Sequence, residues 1–193
     1  MLTIAFATGT APGKWFRRYE ELTGIRLTTI PSDDPFSETC DLALVRLPDA
    51  RVGEDHHVVR LYEEALGVAV PKDSEIDPAD AGSEIVNYRF DPAENPSASA
   101  DALHSALQVV AANVGVAFAP LPLLKALSKK QVQALEYPGP SPATEIALVW
   151  LKVRDDDDIQ DFVGVAKGRT VRSSRSNAQP KQSRNRKRIR HPR

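Results

Sequence analysis

The chain has 193 residues, of which 41% are hydrophobic, and this is enough for a packed core in one large domain or two small lobes. The single cysteine, Cys40, excludes an internal disulfide and a zinc site built from cysteines. The net charge of -1 conceals two parts of opposite sign, because 11 of the 25 basic residues follow the last acidic residue, Asp161. The acidic part repels a phosphate backbone, so we expect any nucleic-acid contact to be weak and to come from residues 167–193.

The first residues, MLTIAFATGT, do not resemble a signal peptide, because no basic region precedes the short apolar stretch. No apolar run in the chain approaches the roughly 18 residues that a membrane-spanning helix needs. We therefore expect a cytoplasmic protein that makes no contact with a membrane.

The first third of the chain alternates strand and helix patterns. Residues 3–7, 25–30 and 41–48 are apolar runs that predict strands, and PSDDPFSE, between the last two, predicts a loop with at most one helical turn. Between the first two strands, helical spacing ends at Gly24 and involves Trp15, Phe16, Tyr19 and Leu22. Strands separated by helices predict a parallel sheet with right-handed crossovers.

The middle of the chain repeats this pattern after an unusually long extended segment. VVRLYEEALGVAVP, residues 58–71, predicts one strand that crosses between two lobes. Residues 83–90 and 114–120 predict further strands, and residues 99–115 predict a helix with Ser99 or Asp101 as its cap. LPLLKALSKKQVQAL, residues 121–135, predicts another helix.

Near the end, TEIALVWLKV predicts the last strand and a second crossing, and DDDDIQDFVGVAKG predicts the last helix. The fold class indicated is α/β, with two Rossmann-like lobes joined by two crossing strands. We assign residues 1–64 with 147–168 to the first lobe and residues 65–146 to the second. Residues 169–193 have nothing to bury, so we expect them to form a disordered basic tail.

A hinged pair of lobes predicts a ligand cleft at the carboxyl ends of the strands. Thr8-Gly9-Thr10 precedes the first helix, where hydroxyls and free N–H groups would bind an anion, although a simple N-cap is the alternative. Arg46 and Arg89 stand near the ends of apolar strands, where each needs an anionic partner. That partner is either a ligand or a nearby carboxylate.

Other polar groups have ordinary explanations. Asp155 to Asp158 are explained by capping and compensation of a helix dipole, and His56-His57 by a solvated polar loop, so we predict no metal site. Cys40 precedes a buried strand and is expected to pack as a small hydrophobe. No nucleophile and base can be paired from the sequence, so we predict no catalytic residues, no cofactor and no enzyme activity.

Five stretches in order resemble the effector-binding domain of LysR-type transcriptional regulators. They span residues 2 to about 166 and are LTIAFATGTAPGKWFRRYEELTGIRLTTI, CDLALVRLP, VVRLYEEALGVAVPKDS, QVVAANVGVAFAPLPLL and IALVWLKVRDDDDIQDFVG. The resemblance implies the type 2 periplasmic-binding-protein fold, with a small-molecule effector between two lobes. It also implies pairing into a homodimer. The given sequence begins at the first strand of this domain, so we expect it to lack the family's helix-turn-helix.

The resemblance also carries over individual positions. Thr8 and Thr10 match the family's hydroxyl loop, Pro31-Ser32 matches the loop after the second strand, and Arg46 matches the end of the third strand. Asn113 stands where the family usually has glycine, a departure that would alter the pocket rim or shift the turn.

The function expected from these observations is a regulatory domain that binds a small organic anion in the cleft between the lobes. Three alternatives remain. The same scaffold could serve an enzyme, it could serve an extracytoplasmic solute-binding protein, or the basic tail could bind nucleic acid weakly and without sequence preference.

Overall fold

The structure is a computed structural model, which describes residues 1–139 and 144–168. It contains nine strands and four α-helices in these ranges. The strands are β1 (Leu2–Ala7), β2 (Leu27–Ser32), β3 (Leu42–Leu47), β4 (His56–Glu64), β5 (Leu66–Pro71), β6 (Val86–Arg89), β7 (Val116–Pro120), β8 (Val132–Glu136) and β9 (Thr144–Leu151). The helices are α1 (Gly13–Thr23), α2 (Pro96–Ala111), α3 (Leu121–Leu127) and α4 (Asp157–Ala166), and short 3-10 turns occupy Pro35–Ser37, Pro78–Ser83 and Lys152–Arg154.

The strands form two separate sheets. The first has the order β2-β1-β3-β9-β4 and the second the order β6-β7-β5-β8. Only β1, β2 and β3 in the first sheet, and β6 and β7 in the second, pair in parallel. The prediction of a parallel sheet was therefore wrong for the rest, because β9 runs antiparallel between β3 and β4, and β5 runs antiparallel to both its neighbours.

Each sheet has its own core. In the first lobe, α1 and α4 pack on one face of the sheet, where the Tyr19 and Phe162 rings meet with centroids 5.6 Å apart. In the second lobe, α2 and α3 bury their apolar faces on the sheet with Leu103, Leu107, Val110 and Leu124. The apolar spacing of the helices thus corresponds to a separate helix-covered core in each lobe.

The ends of α1 and α4 follow the expected chemistry. Gly24 closes α1 in a left-handed conformation with φ 72°, and its N–H donates to the Glu20 carbonyl. Asp156 caps α4 by accepting a hydrogen bond from the Ile159 N–H. This confirms that the acidic run at 155–158 starts a helix.

The start of α2 was predicted at the wrong cap. Asn95, not Ser99 or Asp101, caps the helix, because its side-chain oxygen accepts from the N–H groups of Ser97 and Ala98. Pro96 then occupies the first helical position, where its missing N–H costs nothing.

The predicted helix over residues 121–135 was wrong in its second half. Helix α3 ends at Leu127, and Ser128 is already extended with ψ 133°. Residues 132–136 form β8, which pairs with β5 and buries Val132. This strand forms through pairing with a segment some 60 residues earlier, a contact that a local pattern does not reveal.

The long extended segment at 58–71 consists of two strands. Strand β4 ends at Glu64 in the first sheet, and β5 begins at Leu66 in the second, so the chain crosses between the sheets at Ala65. The chain returns between β8, in the second sheet, and β9, which lies wholly in the first. The whole of Thr144–Leu151 therefore pairs in the first sheet.

The histidine pair does not lie in a solvated loop, as the sequence predicted. His56 and His57 are the first residues of β4. The centroid of the His56 ring lies 5.1 Å from that of Phe36, and the centroid of the His57 ring lies 5.2 Å from that of Trp150. His57 Nε2 also lies 3.5 Å from an Asp155 carboxylate oxygen. Strand β4 pairs with β9 as far as the two histidines, and both side chains are half-buried there.

Cys40 is half-buried against an apolar cluster on the other face of the first sheet. Burial raises the pKa of its thiol above the ordinary value. The expected disordered tail, residues 169–193, lies outside the described residues.

Within the described ranges, no helix is both long enough and apolar enough to cross a membrane. In the same ranges no three His, Cys, Asp or Glu side chains are grouped so that they could hold a metal ion.

Candidate ligand cleft

A cavity of about 290 Å³ lies between the two lobes, and we call it the interlobe cleft. Its first wall comes from the first lobe and consists of Ala7, Thr8, Asp33, Asp34, Pro35, Val45, Arg46, Pro48, Asp49, Ala50 and Arg51. Its second wall comes from the second lobe and consists of Phe90, Pro92, Ala93, Glu94, Asn95, Pro96, Ser99, Ala100 and Leu123. A molecule in this cavity would contact both lobes.

The topology explains why the cleft forms here. Strands β1, β2 and β3 run in parallel, so the loops that follow them meet at one edge of the first sheet. Opposite that edge, α2 begins, and the loop that precedes it completes the second wall. This is the place where ligands bind in open α/β sheets.

Arg46 lies at the base of the cleft and is bound by Glu64. Arg46 Nε donates to Glu64 Oε2 at 2.7 Å, and Nη2 donates to Oε1 at 3.1 Å. The Glu64 side chain is fully buried, and the Thr144 hydroxyl donates to it at 3.3 Å. In this structure the partner of Arg46 is therefore a carboxylate of the protein, which was one of the two possibilities that the sequence left open.

Arg51 forms a second charged cluster at the first wall. Its guanidinium donates to both Asp34 oxygens, at 2.9 and 2.8 Å, and to Asp49 Oδ2 at 2.7 Å. The hydrogen bonds from Arg51 hold the pKa of the Asp49 carboxyl below its ordinary value. The guanidinium also lies 5.1 Å from the centroid of the Phe36 ring.

The hydroxyl loop after β1, Thr8-Gly9-Thr10, neither leaves its hydroxyls free for an anion nor caps α1. Thr8 lines the cleft, but its hydroxyl donates to Asp33 Oδ1 at 2.5 Å. The Thr10 hydroxyl donates to the Ala7 carbonyl at 2.6 Å. Neither threonine caps α1, because the chain enters that helix through Pro12 without a side-chain cap.

At Gly9 the loop after β1 closely approaches the second lobe. Its φ is +88°, a conformation that L side chains rarely adopt. A Cβ at this position would lie 2.8 Å from Leu123 Cα, at the start of α3 in the other lobe. Glycine therefore permits backbone-to-backbone contact between the lobes beside the cleft.

The remaining residues named from the sequence do not line the cleft. Pro31 and Ser32 end β2, and the Ser32 hydroxyl donates to Glu38 at 2.8 Å. Arg89 is exposed, with its guanidinium 4.2 Å from the centroid of the Phe118 ring. Asn113 has φ 67° and follows the far end of α2, about 24 Å of helix away from the cleft.

Several cleft residues were not found from the sequence: Asp33, Asp34, Asp49, Arg51 and Glu94. A signal did exist for the first two, because they directly follow Pro31-Ser32 at the carboxyl end of a parallel strand. Glu94 carried no such signal, because its loop faces the cleft only after α2 packs on the second sheet.

Comparison with known families is consistent with this geometry. Residues 81–170 match the family model described as the LysR substrate binding domain. Slightly under half of the chain is therefore similar to a LysR substrate-binding domain. The match runs from the end of the second 3-10 turn to the last described helix, so it includes the second wall of the cleft.

Solved structures extend this likeness to both lobes. CbnR, a LysR family transcriptional regulator, is 14% identical with a TM-score of 0.62 over 86% of this chain and 68% of its own. An OxyR variant of Corynebacterium glutamicum is 13% identical with a TM-score of 0.57 over 86% and 62%, respectively. The reduced OxyR of N. meningitidis is 13% identical with a TM-score of 0.58 over 88% and 96%.

At these identities the likeness establishes the fold, and it confirms the predicted two-lobe α/β class of the periplasmic-binding-protein type. The match spans 62% of the length of the Corynebacterium OxyR chain. No curated protein sequence matches the chain.

Proposed function

We propose that the chain is a regulatory domain of LysR type, which binds a small-molecule effector in the interlobe cleft and takes part in transcriptional regulation. The observation that carries this proposal is the cavity of about 290 Å³ between the lobes, at the carboxyl ends of β1, β2 and β3. The family match at residues 81–170 supports it. So does the likeness to CbnR, which has been solved with its target DNA.

Binding in the cleft would bias the position of the lobes. The two walls belong to different sheets, and the chain passes from one sheet to the other at Ala65. An effector that contacts both walls has more contacts when the lobes are closed than when they are open. It therefore shifts the population toward the closed form by the difference in its affinity for the two forms.

The alternative functions receive less support. The described residues that line the cleft include no histidine, cysteine or lysine, so an enzyme at this place would depend on carboxylates alone for acid-base chemistry. No observation favours a solute-binding protein over a regulator.

Three further expectations stay predictions: the cytoplasmic location, the homodimer, and the nucleic-acid contact of residues 167–193. A fourth expectation, the anionic effector, is untested and has lost its original basis. Thr8, Thr10 and Arg46 were named as anion ligands, but each already donates to an oxygen of the protein.

A thermal-shift screen with a cleft-filling variant tests the proposal. Ala93 is exposed on the second wall, so Ala93→Trp should fill the cleft without disturbing either core. Ala112→Trp is the matched control, because Ala112 is exposed beyond the far end of α2. We expect a small molecule that raises the Tm of the wild type to do the same for Ala112→Trp and to have no effect on Ala93→Trp. An equal rise in both variants would contradict binding in the cleft.

A further inference from the structure

The interlobe cleft carries more negative than positive charge. Four carboxylates and two guanidinium groups line it. Both guanidinium groups are already bound by the protein, Arg46 by the buried Glu64 and Arg51 by Asp34 and Asp49. Each arginine is therefore neutralised by a carboxylate of the protein, so neither gives the cleft an uncompensated positive charge.

The other side-chain donors near the cleft carry no charge. The Thr8 hydroxyl donates to Asp33. At the start of α2, the Asn95 side chain accepts from two N–H groups, and Pro96 has no N–H to offer. Glu94 stands just before this cap, where its negative charge compensates the positive end of the helix dipole. The helix start therefore lacks the free N–H groups and the uncompensated charge that make an anion site.

The charged cleft groups that form no ion pair are carboxylates. Asp33 has one carboxylate oxygen beyond the Thr8 hydroxyl, and Glu94 has both. Within residues 1–139 and 144–168, neither carboxylate forms an ion pair. Asp33 belongs to the first wall and Glu94 to the second, so a ligand between the lobes meets a carboxylate on each side. Apolar side chains also line the cleft, including Val45, Phe90 and Leu123.

We propose that the interlobe cleft selects an organic cation, an ammonium or guanidinium group on a small apolar body. This rests on the proposed function, since it assigns the chemical class of the effector in that same cleft. The cation would lie between Asp33 and Glu94, and its apolar body would pack on Val45, Phe90 and Leu123. Closure brings the two carboxylates nearer to each other, and a cation between them removes their repulsion, so its charge favours the closed form.

Matched probes separate charge from shape. Benzyl, cyclohexyl and n-butyl bodies are each tested on the full chain as the ammonium, the alcohol and the carboxylate, by calorimetric titration at low salt. We expect the ammonium of at least one body to bind at least tenfold more tightly than its carboxylate. Asp33→Asn with Glu94→Gln preserves shape and removes both charges. It should weaken the ammonium at least tenfold and change the alcohol less than twofold.

Substitutions inside and outside the cleft show where the ammonium binds. Ala93→Trp should abolish binding of the ammonium, and Ala112→Trp should leave it unchanged. If a carboxylate binds as tightly as the ammonium, and Ala93→Trp abolishes it, the inference about charge is overturned while the proposed function stands. If no ammonium binds in the cleft, the inference is likewise overturned. Ammonium binding that survives Ala93→Trp would overturn it too, and would also count against the cleft as the effector site.

Discussion

Arg46 and Glu64 form a bidentate ion pair at the base of the interlobe cleft, with Nε to Oε2 at 2.7 Å and Nη2 to Oε1 at 3.1 Å. Glu64 is the last residue of β4, just before the chain crosses to the second sheet. Thr144, which donates to Glu64, is the first residue of β9, the strand that follows the return. The pair therefore joins β3 to both segments that connect the lobes.

Breaking this pair should destabilise the protein more than replacing it. Arg46→Met leaves the buried Glu64 without a counter-charge, and we expect it to lower the free energy of unfolding by about 3–5 kcal/mol. Arg46→Met combined with Glu64→Leu should recover more than half of that loss. Urea denaturation of the wild type, the two single variants Arg46→Met and Glu64→Leu, and the double variant gives the coupling energy. Additive effects of the two substitutions would contradict the assignment of a coupled pair.

Gly9 should be needed for the approach of the lobes. Gly9→Ala places a Cβ 2.8 Å from Leu123 Cα, in addition to straining a backbone with φ +88°. Gly24→Ala is the matched control, because Gly24 also has a positive φ but nothing lies within 4 Å of its Cβ position. We expect Gly24→Ala to cost about 1 kcal/mol of stability and Gly9→Ala at least about 1 kcal/mol more.

Small-angle X-ray scattering provides a second readout for the glycine pair. Gly9→Ala should increase the radius of gyration because the lobes separate, whereas Gly24→Ala should not. The same radius for both variants would mean that Gly9 does not control the distance between the lobes.

Tyr19 should stabilise the first core as a ring rather than as a phenol. The side chain is fully buried, and within the described ranges its hydroxyl has no hydrogen-bond partner. Tyr19→Phe should therefore raise the free energy of unfolding by about 1 kcal/mol. Tyr62→Phe, at a residue that is 40% exposed, should change it by less than about 0.5 kcal/mol. A loss of stability in Tyr19→Phe would show that the hydroxyl has a favourable partner.

The alkaline stability of the wild type should depend on the same residue. Burial, with the nearby Asp158 and Asp161 charges, raises the pKa of Tyr19 to about 12 from 10.0. Because the folded state disfavours the tyrosinate, the raised pKa contributes to the free energy of unfolding. This contribution is complete below pH 10 and is lost as the pH rises toward 12. Tyr19→Phe should lose less stability than the wild type between pH 10 and 12 in urea denaturation. Parallel pH profiles would contradict the raised pKa.

Asp49 gives a test in acid. Hydrogen bonds from Arg51 lower the pKa of Asp49 below its ordinary value of 3.8. This contribution to stability is present above pH 3.8 and is lost as the pH falls through the lowered pKa. Arg51→Gln should therefore be less stable than the wild type at pH 7, with a smaller difference at pH 2.5. A difference that does not depend on pH would count against the ion pair.

The fold was largely accessible from the sequence because its helices and most strands are set by local patterns. The stop at Gly24 and the acidic start of α4 needed only short-range hydrogen bonds. Strand β8 was missed because it forms through pairing with β5, and β9 was expected in a parallel sheet because direction depends on where the returning strand inserts.

The site was less accessible for a related reason. Thr8 and Arg46 were found because strand ends in α/β proteins point toward ligand clefts. Their partners were not found, because Glu64 lies 18 positions from Arg46 and Asp33 lies 25 positions from Thr8. The charge that faces a ligand depends on these pairings, so the sequence alone favoured an anion.

Amide NMR of the labelled chain, titrated with the ligand that raises the Tm most, tests binding in the interlobe cleft most directly. We predict chemical-shift changes on both walls, at Thr8 and Arg51 in the first lobe and at Ala93 and Ser99 in the second, with little change at Ala112. Changes confined to another surface, such as the groove between α2 and α3 around His104 and Gln131, would contradict the account.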